Sequence, residues 1–196
     1  MLLVAALLMT LAPGDLLLSS ARGFEGIESY RVTMRSRDGD GEQVIRYEYR
    51  RPGFVRMEFV RPHGGAVLVY DPVTKKARLQ PFGFLKSFVL TLDPDNVLIR
   101  SPRGHSVDES DIGALLRAVR RLAERGTVEG RGEEEIGGRR TAVVEVAGDG
   151  DYSVGGIHRY VLWLDEATGL PVKVRAFDAG GALLEEVFME DIEIAR

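Results

Sequence analysis

Three histidines are the residues best suited to bind a metal or move protons near neutral pH. His63 falls in a turn, His105 in a loop and His158 in a strand. None has the H-E-x-x-H spacing that sets two imidazoles on one helix face, so solvent or structural roles are expected. The chain has no cysteine, which excludes thiolate metal sites, a cysteine nucleophile, a disulfide scaffold and lipidation of its own cysteine. The glycine pairs Gly137-Gly138 and Gly155-Gly156 do not sit between a strand and a helix, so they read as turns and not phosphate cradles. No G-x-S-x-G elbow is present. Asp149-Gly150-Asp151 lacks the remaining ligands and terminal Glu of a calcium loop, and Glu133-Glu134-Glu135 reads as a solvated edge. The expectation is a protein that is not an enzyme, with no catalytic residues, no metal and no cofactor. A hydrolase assembled from scattered carboxylates stays open as a third reading, because such a site leaves no local signature.

The apolar residues offer a different chemistry, namely capture of a hydrophobic ligand. Tyr47, Tyr49, Val55, Met57, Phe59, Val67 and Val69 read as one broad apolar face, with Leu85 and Phe88 in a segment able to cover it. Two interpretations stand: an ordinary β-core closed by a helix, or a concave cavity with a helical lid built for acyl chains. Burial at ~25 cal/mol per Å² would supply affinity to such a cavity without directional contacts. With 44% apolar and 29% charged residues in 196, the chain can bury a real core. Its net charge of −4 shows no basic excess of the kind nucleic-acid binders carry.

The elements that would position this face alternate with period two. Tyr30, Val32 and Met34 alternate with Arg31, Thr33 and Arg35. Strands follow at 44–50, around 55–59, at 66–70 and at 76–80, separated by turns rich in Gly, Pro and Asp. Leu85, Phe88, Val89 and Leu92 fall at i, i+3, i+4 and i+7, which predicts a short amphipathic helix within 82–92. A longer helix is predicted over 111–125, with Ser110 as N-cap, Gly126 as terminator and Ile112, Leu115, Leu116, Val119, Leu122 and Ala123 as its apolar stripe. Strands return at 141–146, 158–164, 172–177 and 183–194. The fold class expected is mainly β, an antiparallel sheet with one long and one short helix.

Residues 1–12 form an apolar run, and Ser19 and Ala21 stand at the −3 and −1 positions for cleavage before Arg22. A signal peptide over 1–21 is therefore expected, without the usual basic residue ahead of the run, followed by one domain over 22–196. Pro13-Gly14-Asp15 is expected to interrupt any buried N-terminal helix.

The stretch from Tyr49 through Arg51-Pro52-Gly53 and Met57 to Phe59, then Pro62 and Tyr70-Asp71-Pro72, resembles the outer-membrane lipoprotein carrier (LolA-type) family. The block 163–173, WLDEATGLPVK, looks like a hairpin of the wider superfamily, which includes lipoprotein-sorting homologues and periplasmic stress-sensor regulators. The resemblance implies an unclosed antiparallel β-barrel capped by helices, a hydrophobic cavity for lipoprotein acyl chains or lipid, and a periplasmic, monomeric protein. It implies membrane-bound donor and acceptor proteins as partners and no nucleic acid. It also implies that Arg51 holds the helical lid closed, the alternative being a surface arginine at a strand end. Two departures stand out: no long helix is expected just after the signal peptide, and the 82–92 segment looks particular to a sorting-like branch. The leading functional expectation is a carrier or chaperone that shields acyl chains and hands them to a membrane acceptor. The alternative is a sensor that binds a lipid or protein signal and controls a membrane partner.

Overall fold

The computed structural model describes residues 12–38, 41–81, 88–101 and 106–196. The alternating segments become β1 (Ser29–Asp38), β2 (Gly41–Arg50), β3 (Phe54–Arg61), β4 (Val67–Asp71), β5 (Lys76–Gln80) and β6 (Leu90–Leu92). After the long helix come β7 (Gly126–Ile136), β8 (Arg139–Gly148), β9 (Arg159–Asp165), β10 (Pro171–Phe177) and β11 (Leu183–Ala195). All lie in one 11-stranded antiparallel sheet ordered β6-β5-β4-β3-β2-β1-β11-β10-β9-β8-β7. Two meanders are thus joined where the last strand returns to the first. Among the described residues no pairing links β6 to β7, so the sheet is an unclosed antiparallel barrel, as the resemblance implied.

Among the described residues two α-helices cover its inner face. Helix α1 (Pro13–Glu25) begins at the proline expected to interrupt a helix from the apolar run, with Ala12 extended ahead of it. Proline occupies the first helical turn, where its fixed φ suits the helix and its missing N–H has no partner to lose. Leu17, Ser20 and Phe24 then fall on one buried stripe that packs on the second helix and β7. The helix also spans the Ala21/Arg22 boundary expected for signal cleavage.

Helix α2 (Ile112–Ala123) forms where predicted, and Ile112, Leu116, Val119 and Leu122 reach the core at helical spacing. Its N-cap is Asp111, whose carboxylate accepts from the Ala114 N–H at 3.0 Å, and not Ser110. Gly113 lets the helices meet, because a Cβ there would collide with the Phe24 ring. The helix predicted within 82–92 does not form where the chain is described. Phe88 and Val89 are irregular, and 90–92 is strand β6 paired to β5. Leucine and phenylalanine spacing fits a helix stripe and an edge strand equally well over so short a run. Residues 82–87 lie outside the described residues.

On the inner face Tyr30, Tyr47, Tyr49, Val55, Leu68 and Tyr70 join residues from both helices in the main core. The outer face of β1–β3 is a ladder of charges, with Arg46 and Glu58 at 3.2 Å and Arg31 and Glu48 at 3.7 Å. A second apolar cluster, Val143, Val161, Trp163 and Val172, lies on the outer face of β8–β10. There Lys173 sits 4.5 Å from the Trp163 ring centre and 3.3 Å from Glu186.

Candidate functional site

Strand register decides which side chains share the inner face. Tyr47 pairs with Met57, and Met57 with Leu68. Val67 and Val69 therefore stand opposite Glu58 and Arg56, on the outer, charged face. Their expected place in the cavity is corrected: Leu68 takes it instead, while Tyr70 packs in the core and borders the polar cleft beside Arg51. A one-residue change in register flips a whole strand, and the apolar run 66–70 carries no alternation to show which parity faces inward.

Two adjoining cavities lie between the inner face and its helical cover. The smaller, about 170 Å³, is floored by Met34, Ile45, Tyr47, Met57, Phe59 and Leu68 and roofed by Ile99, Val107 and Ser110. The larger, about 380 Å³, runs beneath α2, from Met34, Val187 and Met189 to Leu115, Ala118, Val154 and Ile157. Met34, Ser110 and Glu185 border both, so together they form one groove with a constriction. Arg117 and Arg121 of α2 stand at its rim.

Of the residues expected to line a cavity, Tyr47, Met57 and Phe59 do so. Val55 is instead packed in the core, and Tyr49, also buried there, borders a separate polar cleft beside Arg51. Phe88 is 48% exposed and lines neither part of the groove. Leu85 lies outside the described residues. Met34, Leu68, Val187 and Met189 were not among the sequence candidates: Leu68 because its strand shows no alternation, and the others because β1 and β11 meet only through long-range pairing.

Tyrosines tie the roof to the floor. The Tyr30 hydroxyl accepts a hydrogen bond from the Ile112 N–H at 3.1 Å, satisfying one of the free donors at the start of α2. The Tyr47 hydroxyl lies 3.2 Å from Ser110 Oγ, which in turn donates to the Val107 carbonyl at 2.6 Å. The Tyr30 ring stacks between Tyr47 and Tyr49, at 5.8 and 5.2 Å between centroids, and Phe24 of α1 closes the cluster. Burial pushes both the Tyr30 and Tyr47 hydroxyls well above the ordinary tyrosine range, and the Asp111 charge adds to this.

Arg51 is built into the cover. Its Nε donates to the Ile27 carbonyl at 3.1 Å, and its Nη2 donates to the carbonyls of Phe24 at 3.2 Å and Glu25 at 2.7 Å. It therefore clamps the C-terminal end of α1, where free carbonyls and the helix dipole favour a cation. Two of these carbonyls, Phe24 and Glu25, belong to a helix that the sequence did not lead one to expect, and Ile27 follows just beyond it. Of the histidines, His63 is exposed and His158 donates from Nδ1 to the Tyr152 carbonyl at 2.9 Å. His105 lies outside the described residues.

The profile of the MucB/RseB N-terminal domain matches residues 88–196, more than half of the chain. The chain belongs to the MucB/RseB N-terminal domain family. This family falls within the LolA-like superfamily that the 163–173 hairpin resembles. Comparison with curated proteins finds no match. Among solved structures it is similar to MucB of Pseudomonas aeruginosa in complex with MucA, at 20% identity and TM-score 0.56, covering 94% of this chain and 57% of that one. It thus spans little more than half of that MucB chain. It is similar to the lipoprotein LppX of Mycobacterium tuberculosis, at 13% identity and TM-score 0.53, covering 91% and 95%. A third likeness is to a conserved protein from Thermus thermophilus, at 13% identity and TM-score 0.56, covering 93% and 88%. At these identities the likenesses show the fold: an open antiparallel sheet covered by helices.

Proposed function

We propose that this chain is a periplasmic binding module of regulatory type, which takes an acyl chain of a lipid or lipoprotein into the groove under α2 and signals its occupancy to a protein partner. The observation that carries this reading is the apolar groove between floor and cover, whose roof is tied down by a few hydroxyl contacts. Each buried methylene contributes ~0.8 kcal/mol, so an acyl chain offsets the loss of the Tyr47–Ser110 contact and the displacement of Val107. The larger cavity is near the small end of the ~300–1,000 Å³ range for ligand sites, which suits one chain more than several. MucB is seen in complex with MucA, and membership of its family supports a protein partner here too. No chemistry is done on the ligand. A carrier that hands acyl chains to a membrane acceptor is the second reading, favoured by the same groove.

The test uses an apolar fluorescent probe displaced by long-chain lipid. Met57→Gln, on the floor of the groove, is expected to weaken probe binding about tenfold, or ~1.4 kcal/mol. Val69→Gln, on the outer face, is expected to leave it unchanged. Equal affinities for the two variants, or no uptake by the unaltered protein, would overturn the reading.

A further inference from the structure

Most strand arginines are matched to carboxylates, Arg78 of β5 being an exception among the described residues. Arg31, Arg35, Arg46, Arg131, Arg140 and Arg175 each form an ion pair with a neighbouring Glu. The arginines of α2 break this pattern. Arg117, Arg120 and Arg121 share one exposed face at helical spacing, and Arg125 follows just beyond the helix. Arg117 has only a 4.0 Å approach to Asp111. Arg125 lies over the Tyr152 ring at 4.3 Å, and the side chains of Arg120 and Arg121 have no partner among the described residues. The acids nearby are Glu124, beside them in sequence, Glu109, Asp111 and Glu185, which line the groove together with Arg117 and Arg121, and Asp149 and Asp151 of the β8–β9 loop; the Asp149 N–H donates to the Arg125 carbonyl at 2.9 Å. In a chain of net charge −4, the exposed side chains of Arg117, Arg120, Arg121 and Arg125 outnumber the one acid among them, Glu124.

We propose that this face of α2 docks on an anionic bilayer surface. An acidic protein would satisfy the guanidinium groups alone. A bilayer also presents acyl chains to the groove whose rim holds Arg117 and Arg121. The choice of a bilayer therefore rests on the acyl-binding reading above. No helix among the described residues is long and apolar enough to cross a membrane. The contact is electrostatic and weakens as salt shortens the Debye length from ~10 Å at ~0.1 M to ~3 Å at ~1 M.

The experiment is co-sedimentation of the full chain with phosphatidylcholine vesicles, with and without phosphatidylglycerol, at low and high salt. Probe uptake is measured on the same samples. Binding is expected only with phosphatidylglycerol, and high salt should release it. The double variant Arg120→Gln/Arg121→Gln is expected to bind about 30-fold more weakly, the loss of two surface cations. Arg120→Lys/Arg121→Lys should restore binding, because a bilayer reads charge and not the guanidinium fork. Binding to polyglutamate but not to vesicles would overturn the proposal in favour of an acidic protein. No vesicle binding by a protein that takes up the probe would overturn docking and leave the groove standing. Vesicle binding without probe uptake would uphold the docking face and overturn the groove reading.

Discussion

Tyr30 is 2% exposed, and its hydroxyl supplies an acceptor that the first turn of α2 lacks. Replacing it with phenylalanine leaves the Ile112 N–H buried without a partner, at an expected cost of about 1–3 kcal/mol. Thermal unfolding of Tyr30→Phe measures this directly. The same residue sets an alkaline limit. In the unfolded chain a tyrosine ionises near pH ~10, whereas burial holds Tyr30 and Tyr47 neutral to higher pH in the fold. Their neutral forms therefore contribute stability that is fully present below pH ~10 and is lost as pH rises toward the folded values. The melting temperature is expected to fall steeply above pH ~10 in the natural chain and less steeply in Tyr30→Phe. Equal slopes would show that the buried hydroxyl does not carry the effect. At this scale the sequence showed which residues are aromatic and apolar but not that a strand tyrosine would cap a distant helix. That contact joins positions 82 residues apart.

Helix α1 shows where local rules mislead. Pro13 reads as a breaker when it follows an apolar run, yet it opens the helix, and the residues that matter come after it. Leu17 is buried against the same cluster as Phe24, Ile27 and Val119. We propose that the folded unit includes this helix. Residues 22–196, the unit read from sequence, would lack Leu17 and Ser20 and shorten the helix that Arg51 clamps. That chain is expected to be less stable than residues 12–196 by at least the ~2–5 kcal/mol of a large-to-small core change. Denaturant midpoints of the two chains would decide, and equal midpoints would remove α1 from the fold's requirements. Strand β4 gives the complementary lesson. Val67 and Val69 were grouped with Met57 because the apolar run 66–70 has no alternation of its own, and its parity is fixed only by Leu68 meeting Met57. The short helix predicted within 82–92 does not extend over 88–92 for a related reason, since Leu90 and Leu92 satisfy a strand pairing with β5.

At the scale of the whole molecule the fold class was legible, because regular strands with tight turns and one strongly amphipathic helix leave few architectures open. The return of β11 to β1 was not, although it brings Val187 and Met189 to the groove that Met34 shares. The groove's apolar floor lies beneath a roof tied down by tyrosine hydroxyls, and in the proposed function an acyl chain replaces those contacts. Native mass spectrometry of the chain, secreted to the periplasm and purified without detergent, reads the occupancy of that floor. A population carrying a lipid or acylated-peptide mass, lost in Met57→Gln, is expected of an acyl-binding groove. A clean unbound mass, with no uptake of added lipid or lipopeptide, would rule that groove out.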